Sequence, residues 1–508
     1  MSKYYTNFDD LKKEDLQTLL KNYSSTYFGN EYKKIHEQIL NDYLDIFCNK
    51  NYKKEEYYFG IANFDIVVIL SNYIYESYIN NKKFVKTSGN QIFFKFNNLH
   101  SEAKLKINFP KISIIRKIKY LLKKNYNLIK YHLFYSKKLK KIYLVGSNQI
   151  ETKYYFNSFN YFPIKIDLFD IYNVIINKNF ERYLNKKIRL LLEKNFKRFR
   201  FLSNKDQKLI NKNITDLIIV SGVKYQTFRR YFKKYKSQDL FVGTISGWLP
   251  IKNIIAAISS LDLKITCFNH GYSACYNMKP DFYNEGSLAA NNIFISSKSY
   301  KQTYDNFFKG YKNQIILPKF HFFEKSPYLD IFNKIKKINE KKLIKKILIM
   351  GYPKSPLFNL NETHNHLFST IQLEIKIINL LKNNSFDVYY KCHPDRISEM
   401  QNLFDKSVKV INKKFENIYL DYDCAIFTYY RSTAFGYGLM TGIPIVYFIN
   451  SNYKMDNKTF ITLNKRCSVV KTVSSNEDEL KFNNKDLLEA IKSSKNKQFD
   501  LEWLSYLN

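Results

Sequence analysis

Residues 421–448 read DYDCAIFTYYRSTAFGYGLMTGIPIVYF, and their rhythm decides the fold. The apolar run at 424–428 predicts a strand that ends in a polar loop. Ser432 then stands where a helix begins, with a hydroxyl able to accept from a first-turn N–H. Residues 433–441 are small or apolar and predict a short buried helix, Gly442 fits the left-handed residue that closes it, and Pro444 precedes a strand at 445–449. Strands apolar on both faces, joined through a helix, are units of a parallel sheet.

The same alternation extends outward. Residues 346–350 (KILIM) enter Gly351, 386–391 (FDVYYK) enter His393 and Pro394, and 408–411 and 467–472 complete a series. An earlier series runs through 141–145 (KIYLV), 240–242, 264–268 (KITCF) and 292–295, then a helix near 298–309 and a strand at 314–317. A lysine-rich stretch at 323–345 separates the two. Upstream, residues 11–22, 32–48 and 66–79 carry apolar residues at helical spacing, 112–134 predict a basic amphipathic helix, and 91–96 (QIFFKF) a short strand. The expected architecture is α/β: a mainly helical N-terminal extension (1–137), then two α/β domains (138–330 and 331–508). Such sheets bind ligands at the carboxyl ends of their strands.

Composition bounds the function. The chain has 508 residues and a net charge of +37, but only ten of its 82 cations are arginine, beside 43 tyrosines and 42 phenylalanines. Lys, Asn, Ile, Tyr and Phe share A/T-rich codons, so genomic bias accounts for the charge without a polyanionic partner. With 45% hydrophobic residues the chain is globular, and no apolar run approaches the roughly 20 residues that span a bilayer. The first residues lack the apolar core of a secretion signal, which points to a cytoplasmic protein. Six dispersed cysteines (48, 267, 275, 392, 424, 467) give neither a disulfide framework nor a zinc site. No nucleic-acid-binding motif occurs, and no nucleic-acid partner is expected. The basic helices near 112–141 and 186–200 are able to lie on an anionic membrane surface, which would put the protein on the inner face of the cytoplasmic membrane.

Two constellations carry chemistry. In 389–396 (YYKCHPDR) Pro394 ends the strand and displays Lys391, His393 and Arg396 at its carboxyl end. In 431–433, Arg431 and the hydroxyls of Ser432 and Thr433 meet a helix N-terminus, which attracts anions through its dipole and free N–H groups. A third segment, 243–278, brings a strand to Asn269, His270 and Gly271, with Asp281 and Glu285 as the acids that follow.

These segments resemble the GT-B glycosyltransferases of bacterial surface-polysaccharide synthesis, among them transferases of CMP-activated Kdo and sialic-type sugars and the CDP-glycerol transferases. His393-Pro394 is similar to their His-Pro motif, and Ser432-Thr433 before a small-residue helix to their Ser-Ser/Thr motif. The resemblance covers roughly 60 residues and implies two Rossmann-like domains, with 138–330 taking the acceptor and 331–508 the nucleotide-sugar donor. It implies that Lys391, His393, Pro394, Arg431, Ser432 and Thr433 hold the donor nucleotide and its phosphate. His270, Asp281 and Glu285 are then the candidates for catalysis. No Asp-x-Asp motif stands in a loop suited to metal binding, so neither metal nor cofactor is expected. The implied reaction moves a sugar, with a CMP-linked ulosonic acid favoured, onto a surface glycan or its lipid-linked precursor. A CDP-glycerol-type phosphotransferase, a sugar-nucleotide epimerase of the same fold and a non-catalytic basic protein binding nucleic acid or membrane remain as alternatives.

Overall fold

The computed structural model describes residues 3–4, 23–24, 30–81, 126, 129–145, 150–166, 177–244, 249–268, 286–295, 309, 315–323, 332–333, 343–351, 367–392, 408–429, 432–450, 457–474 and 480–497. The expected elements at 11–22 and 91–96, and nearly all of that at 298–309, lie outside them. So does most of the basic helix expected at 112–134, whose last turn is a π-helix at Tyr131–Tyr135.

The protein is α/β, built on two parallel sheets. The first has six strands: β1 (Lys140–Val145), β2 (Tyr161–Ile166), β3 (Leu240–Thr244), β4 (Lys264–Phe268), β5 (Asn292–Ile295) and β6 (Lys319–Phe322). They lie in the order β2-β1-β3-β4-β5-β6, all parallel. Periodicity does not announce β2, because Pro163 interrupts it. The proline is tolerated because β2 is an edge strand and needs no second ladder. The strand expected at 314–317 is displaced to β6. Pro318 has no N–H to donate, so the ladder starts after it, with Lys319 N–H bonding the Asn291 carbonyl at 2.9 Å.

Three N-terminal helices share the core of this sheet: α1 (Asn30–Phe47), α2 (Lys54–Ala62) and α3 (Asp65–Asn81). The chain continues after β1 through α4 (Ile150–Ser158), and between β2 and β4 through α5 (Lys178–Arg198), α6 (Asn204–Phe232) and α7 (Leu249–Ser259). One buried cluster runs without a break from Ile35 of α1 through Leu184, Ile214 and Ile254 to Ile293 of β5. The opposite face of the sheet carries a smaller cluster, in which Ile142 and Leu144 of β1 meet Phe156 of α4. Gly60 permits a close crossing within the large cluster, since a Cβ there would lie 2.2 Å from the Phe47 carbonyl oxygen.

Charge fastens each N-terminal helix to a different partner. Asp42 of α1 binds Lys194 (2.7 Å) and Arg198 of α5, Glu55 of α2 binds Arg229 of α6, and Asp65 of α3 binds Lys252 of α7 at 2.8 Å. Inside this frame three buried side chains close a ring. Asn63 Nδ2 donates to Asn253 Oδ1 (3.2 Å), Asn253 Nδ2 to Ser221 Oγ (2.8 Å), and Ser221 Oγ to Asn63 Oδ1. The helical segment is thus part of the first α/β layer.

The second sheet contains β7 (Lys346–Met350), β8 (Asp387–Lys391), β9 (Lys409–Ile411), β10 (Cys424–Phe427), β11 (Ile445–Asn450), β12 (Ser468–Ser474) and β13 (Leu480–Lys481). Their order is β9-β8-β7-β10-β11-β12-β13, parallel throughout except for β13. Helices α8 (Leu367–Asn383) and α11 (Asn484–Ser494) cover one face, α9 (Thr433–Thr441) and α10 (Asn457–Arg466) the other. Side chains of β7 alternate between them, Ile347 and Ile349 to the first and Leu348 and Met350 to the second. The chain lays down β8 and β9 on one side of β7, then returns to place β10 to β12 on the other. The order therefore reverses between β7 and β10, the position at which open parallel sheets take ligands.

Replacing Asn253 with alanine removes two of the ring's three hydrogen bonds and empties part of a buried site, leaving Asn63 Nδ2 on the Phe59 carbonyl (2.7 Å) and Ser221 Oγ on Asn63 Oδ1. We expect a loss of about 1–3 kcal/mol, read as a lower urea midpoint with an unchanged slope. An unaltered midpoint would show that the ring contributes nothing to the joint between α2, α6 and α7.

Candidate functional site

The reversal between β7 and β10 is built around a buried carboxylate. Glu374 of α8 is fully buried, accepting the Tyr390 hydroxyl on Oε2 at 2.7 Å and the Thr428 hydroxyl on Oε1 at 2.8 Å. Tyr390 lies in β8 and Thr428 directly follows β10, so Glu374 bridges two strand ends with β7 between them. The Tyr390 ring passes over the end of β7. A Cβ on Gly351 would stand 2.4 Å from the Tyr390 hydroxyl oxygen, so a side chain there is excluded, while Gly351 N–H bonds the Lys391 carbonyl at 3.0 Å.

Alternation along β8 then decides where Lys391 goes. Tyr390 faces α8, so Lys391 faces the side covered by α9. Its side chain is 8% exposed, and Nζ donates to the Cys392 carbonyl at 3.3 Å. Burial holds its ammonium below the ordinary lysine value, against the opposing pull of Glu416. A partly desolvated cation at a strand end gains from an arriving anion, which replaces part of its lost hydration.

The helix start expected at 432 is present. Ser432 is the N-cap of α9, its Oγ accepting from Phe435 N–H at 3.1 Å, and Gly442 closes the helix in the left-handed conformation at φ 78°. The first-turn N–H groups have no partner within a helix. At the opposite end Arg466 is buried, donating to the carbonyls of Leu439 (3.0 Å), Gly438 (3.1 Å) and Ile443 (2.9 Å). A guanidinium there offsets the negative pole of the helix, at the end opposite Ser432.

Lys391, Ser432 and Thr433 therefore all belong to the carboxyl side of one sheet. Strands β8 and β10 are separated by β7 alone, about 10 Å across two strand spacings. His393, Pro394, Arg396 and Arg431 lie outside the described residues, as do His270, Asp281 and Glu285. Sequence reasoning missed Glu374, Tyr390, Thr428 and Arg466. Gly351 at a strand end was the visible trace of the first two.

No three His, Cys, Asp or Glu side chains gather among the described residues. Cys424 and Cys467 are free but buried, and burial pushes both thiols up to about 12, so they are protonated and poor nucleophiles.

Gly351→Ala tests the clamp, because the new methyl must displace Tyr390 from Glu374. The expected cost is about 1–3 kcal/mol by urea denaturation, the usual price of overpacking. A variant as stable as wild type would mean that Tyr390 does not need this passage. No model of a known protein family matches the chain, and no curated protein matches it.

Proposed function

We propose that the protein is a metal-independent glycosyltransferase of GT-B architecture, with a CMP-linked ulosonic acid as the favoured donor and a surface glycan or lipid-linked precursor as acceptor. One observation carries this reading. A serine-capped helix with a buried arginine at its far end starts just after a strand bordering the reversal of a parallel sheet, one strand away from a desolvated lysine. The strand order supports it too. Numbered along the chain the six parallel strands of the second sheet run 3-2-1-4-5-6, the order of dinucleotide-binding folds, which take phosphates where the order reverses.

Breaking a glycosidic bond to a nucleotide leaves negative charge on the departing phosphate. Groups fixed in advance near that charge lower the barrier, and removing one well-placed donor costs up to about 2.7–4 kcal/mol. Ser432 and the first turn of α9 supply N–H and hydroxyl donors, and Lys391 a cation. His393, Arg431 and Thr433 join them on the sequence resemblance. In this reading the first sheet's domain takes the acceptor, with His270, Asp281 and Glu285 the residues to probe for a base.

The reading is tested by thermal denaturation with nucleotides. Saturating CMP or CDP at about 100 times the dissociation constant should add about 2.7 kcal/mol to the folded state, with UMP and GDP well behind. Ser432→Asp is the discriminating variant, since aspartate caps a helix as well as serine does but repels phosphate. It should keep the bare melting temperature and lose the CMP shift. Equal stabilisation by CMP in wild type and Ser432→Asp would remove α9 from the site, and a preference for uridine nucleotides would sink the CMP assignment.

Lys391 adds a pH signature. An anion beside its ammonium raises the depressed pKa back up, so binding takes up a proton once the free lysine has lost its own. CMP affinity should be flat at lower pH and fall as pH rises through the depressed value. That fall begins below the ordinary lysine range, because burial favours the neutral amine. Lys391→Met should bind more weakly at neutral pH and show no such fall. An unchanged profile in the variant would assign the titration elsewhere.

A further inference from the structure

The run from Ala103 to Ile150 contains no acidic residue and 13 lysines and arginines in 48 positions. Within it, the described segment around the π-helix Tyr131–Tyr135 is anchored by two rings. Tyr131 and Tyr135 stand 5.6 and 5.0 Å from Phe162 of edge strand β2, and the Tyr131 hydroxyl donates to the Leu139 carbonyl at 3.1 Å. The wide turn closes with Ser136 N–H on the Tyr131 carbonyl at 2.8 Å. With those tyrosines turned inward, the opposite side carries Tyr126, Ile129, Leu133 and Phe134, which are 62%, 55%, 70% and 71% exposed. Lys137, Lys138 and Lys140 follow on the surface, and the Lys140 N–H bonds the Asn160 carbonyl at 2.9 Å. That bond brings the turn bearing half-exposed Phe159 alongside.

We propose that this face, Tyr126, Ile129, Leu133 and Phe134 with Lys137 and Lys138, binds the surface of an anionic lipid membrane. An interfacial helix needs apolar side chains that dip below the headgroups and cations that stay among them, and both are here on one exposed side. The other basic helix lacks this pairing. On α5 the apolar residues Phe180, Leu184, Ile188, Leu191 and Leu192 are buried in the core, and Lys194 and Arg198 are bound to Asp42. A nucleic acid fits the patch less well. Tyr126 and Phe134 have faces on which a base stacks, but Leu133 and Ile129 have nothing to offer a base or a phosphate, and the lysines of the described patch bind as point charges. The patch enters β1 at its amino end, so a membrane docked there leaves the carboxyl ends of the first sheet's strands open.

The test is sedimentation of the full chain with vesicles of phosphatidylcholine alone or mixed with phosphatidylglycerol. We expect binding to the mixed vesicles only, weakening as salt rises because the lysine contribution is screened. Leu133→Ser/Phe134→Ser should cut the partition coefficient by about tenfold or more, as an interfacial anchor loses two buried apolar side chains. Lys137→Gln/Lys138→Gln should weaken binding and flatten its salt dependence. Both variants alter exposed residues, and melting curves confirm folding. Were the serine variant to unfold, Phe134→Ser alone and the lysine variant carry the same comparison. Wild type that ignores phosphatidylglycerol vesicles, or variants that bind as well as wild type, overturn the proposal. A dimer dispersed by Leu133→Ser/Phe134→Ser without vesicle binding would assign the face to a second copy of the chain. Salt-sensitive binding of RNA lost in Lys137→Gln/Lys138→Gln, again without vesicle binding, would assign it to nucleic acid. Either result overturns the proposal.

Discussion

Two hydroxyl protons, from Tyr390 and Thr428, converge on the carboxylate of Glu374, and the carboxyl edge of the second sheet depends on that contact. A carboxylate in an apolar interior is tolerable only when its oxygens are satisfied, so α8, β8 and β10 are held at one spacing around it. The consequences run along the backbone. Tyr390 must cross the end of β7, which admits only glycine at 351. Because side chains alternate along a strand, fixing Tyr390 on the α8 face sends Lys391 to the other, the face on which α9 lies. A structural contact on one side of the sheet thus orients the candidate anion-binding cation on the other.

The helix on that side is prepared by a second buried ion. Arg466 spends its donors on three carbonyls at the C-terminal end of α9, a place where carbonyls otherwise lack partners. An exposed anion at a helix N-terminus gains roughly 0.3–1 kcal/mol, and more in a dry cleft. Neutralising the far end preserves that gain, since the negative pole of a nine-residue helix is close enough to oppose it. Glu374 and Arg466 act alike in that each is a buried polar side chain that ties elements together behind the sheet's edge through bonds to hydroxyls or carbonyls.

Local signals made much of this legible. Strands at 264–268, 292–295 and 346–350, the helix at 433–441, the Ser432 cap and the Gly442 stop all stand where their residues imply. Each depends on neighbours within a few positions, as a cap or a left-handed glycine does. What was not legible depends on distance along the chain. Glu374 sits in LFSTIQLEIKIINLLKN, where a single acid reads as a solvent-facing residue of an amphipathic helix. Its partners lie 16 and 54 residues away. Arg466 reads as a basic last turn, although its guanidinium reaches 23 to 28 residues back. Pro163 disguised β2 because only the sheet order reveals an edge, and Pro318 displaced β6 because an apolar run does not say where a ladder can start.

Net charge illustrates the same division between composition and arrangement. A surplus of +37 is read at once from the sequence, but the number does not say where the surplus acts. The fold assigns acids to joints: Asp42, Glu55 and Asp65 each fasten an N-terminal helix to a crossover helix by ion pairing. Cations near those joints are matched at short range, so their field is cancelled within a few ångströms. In the 48 residues that lead into and through β1 no acid is available in sequence, and the anchoring is done by Tyr131, Tyr135 and Phe162, which are uncharged. Aromatic anchoring leaves Lys137, Lys138 and Lys140 on the surface, beside the exposed side chains of Leu133 and Phe134. The placement of three rings thus sets lysines beside exposed apolar side chains on one described segment.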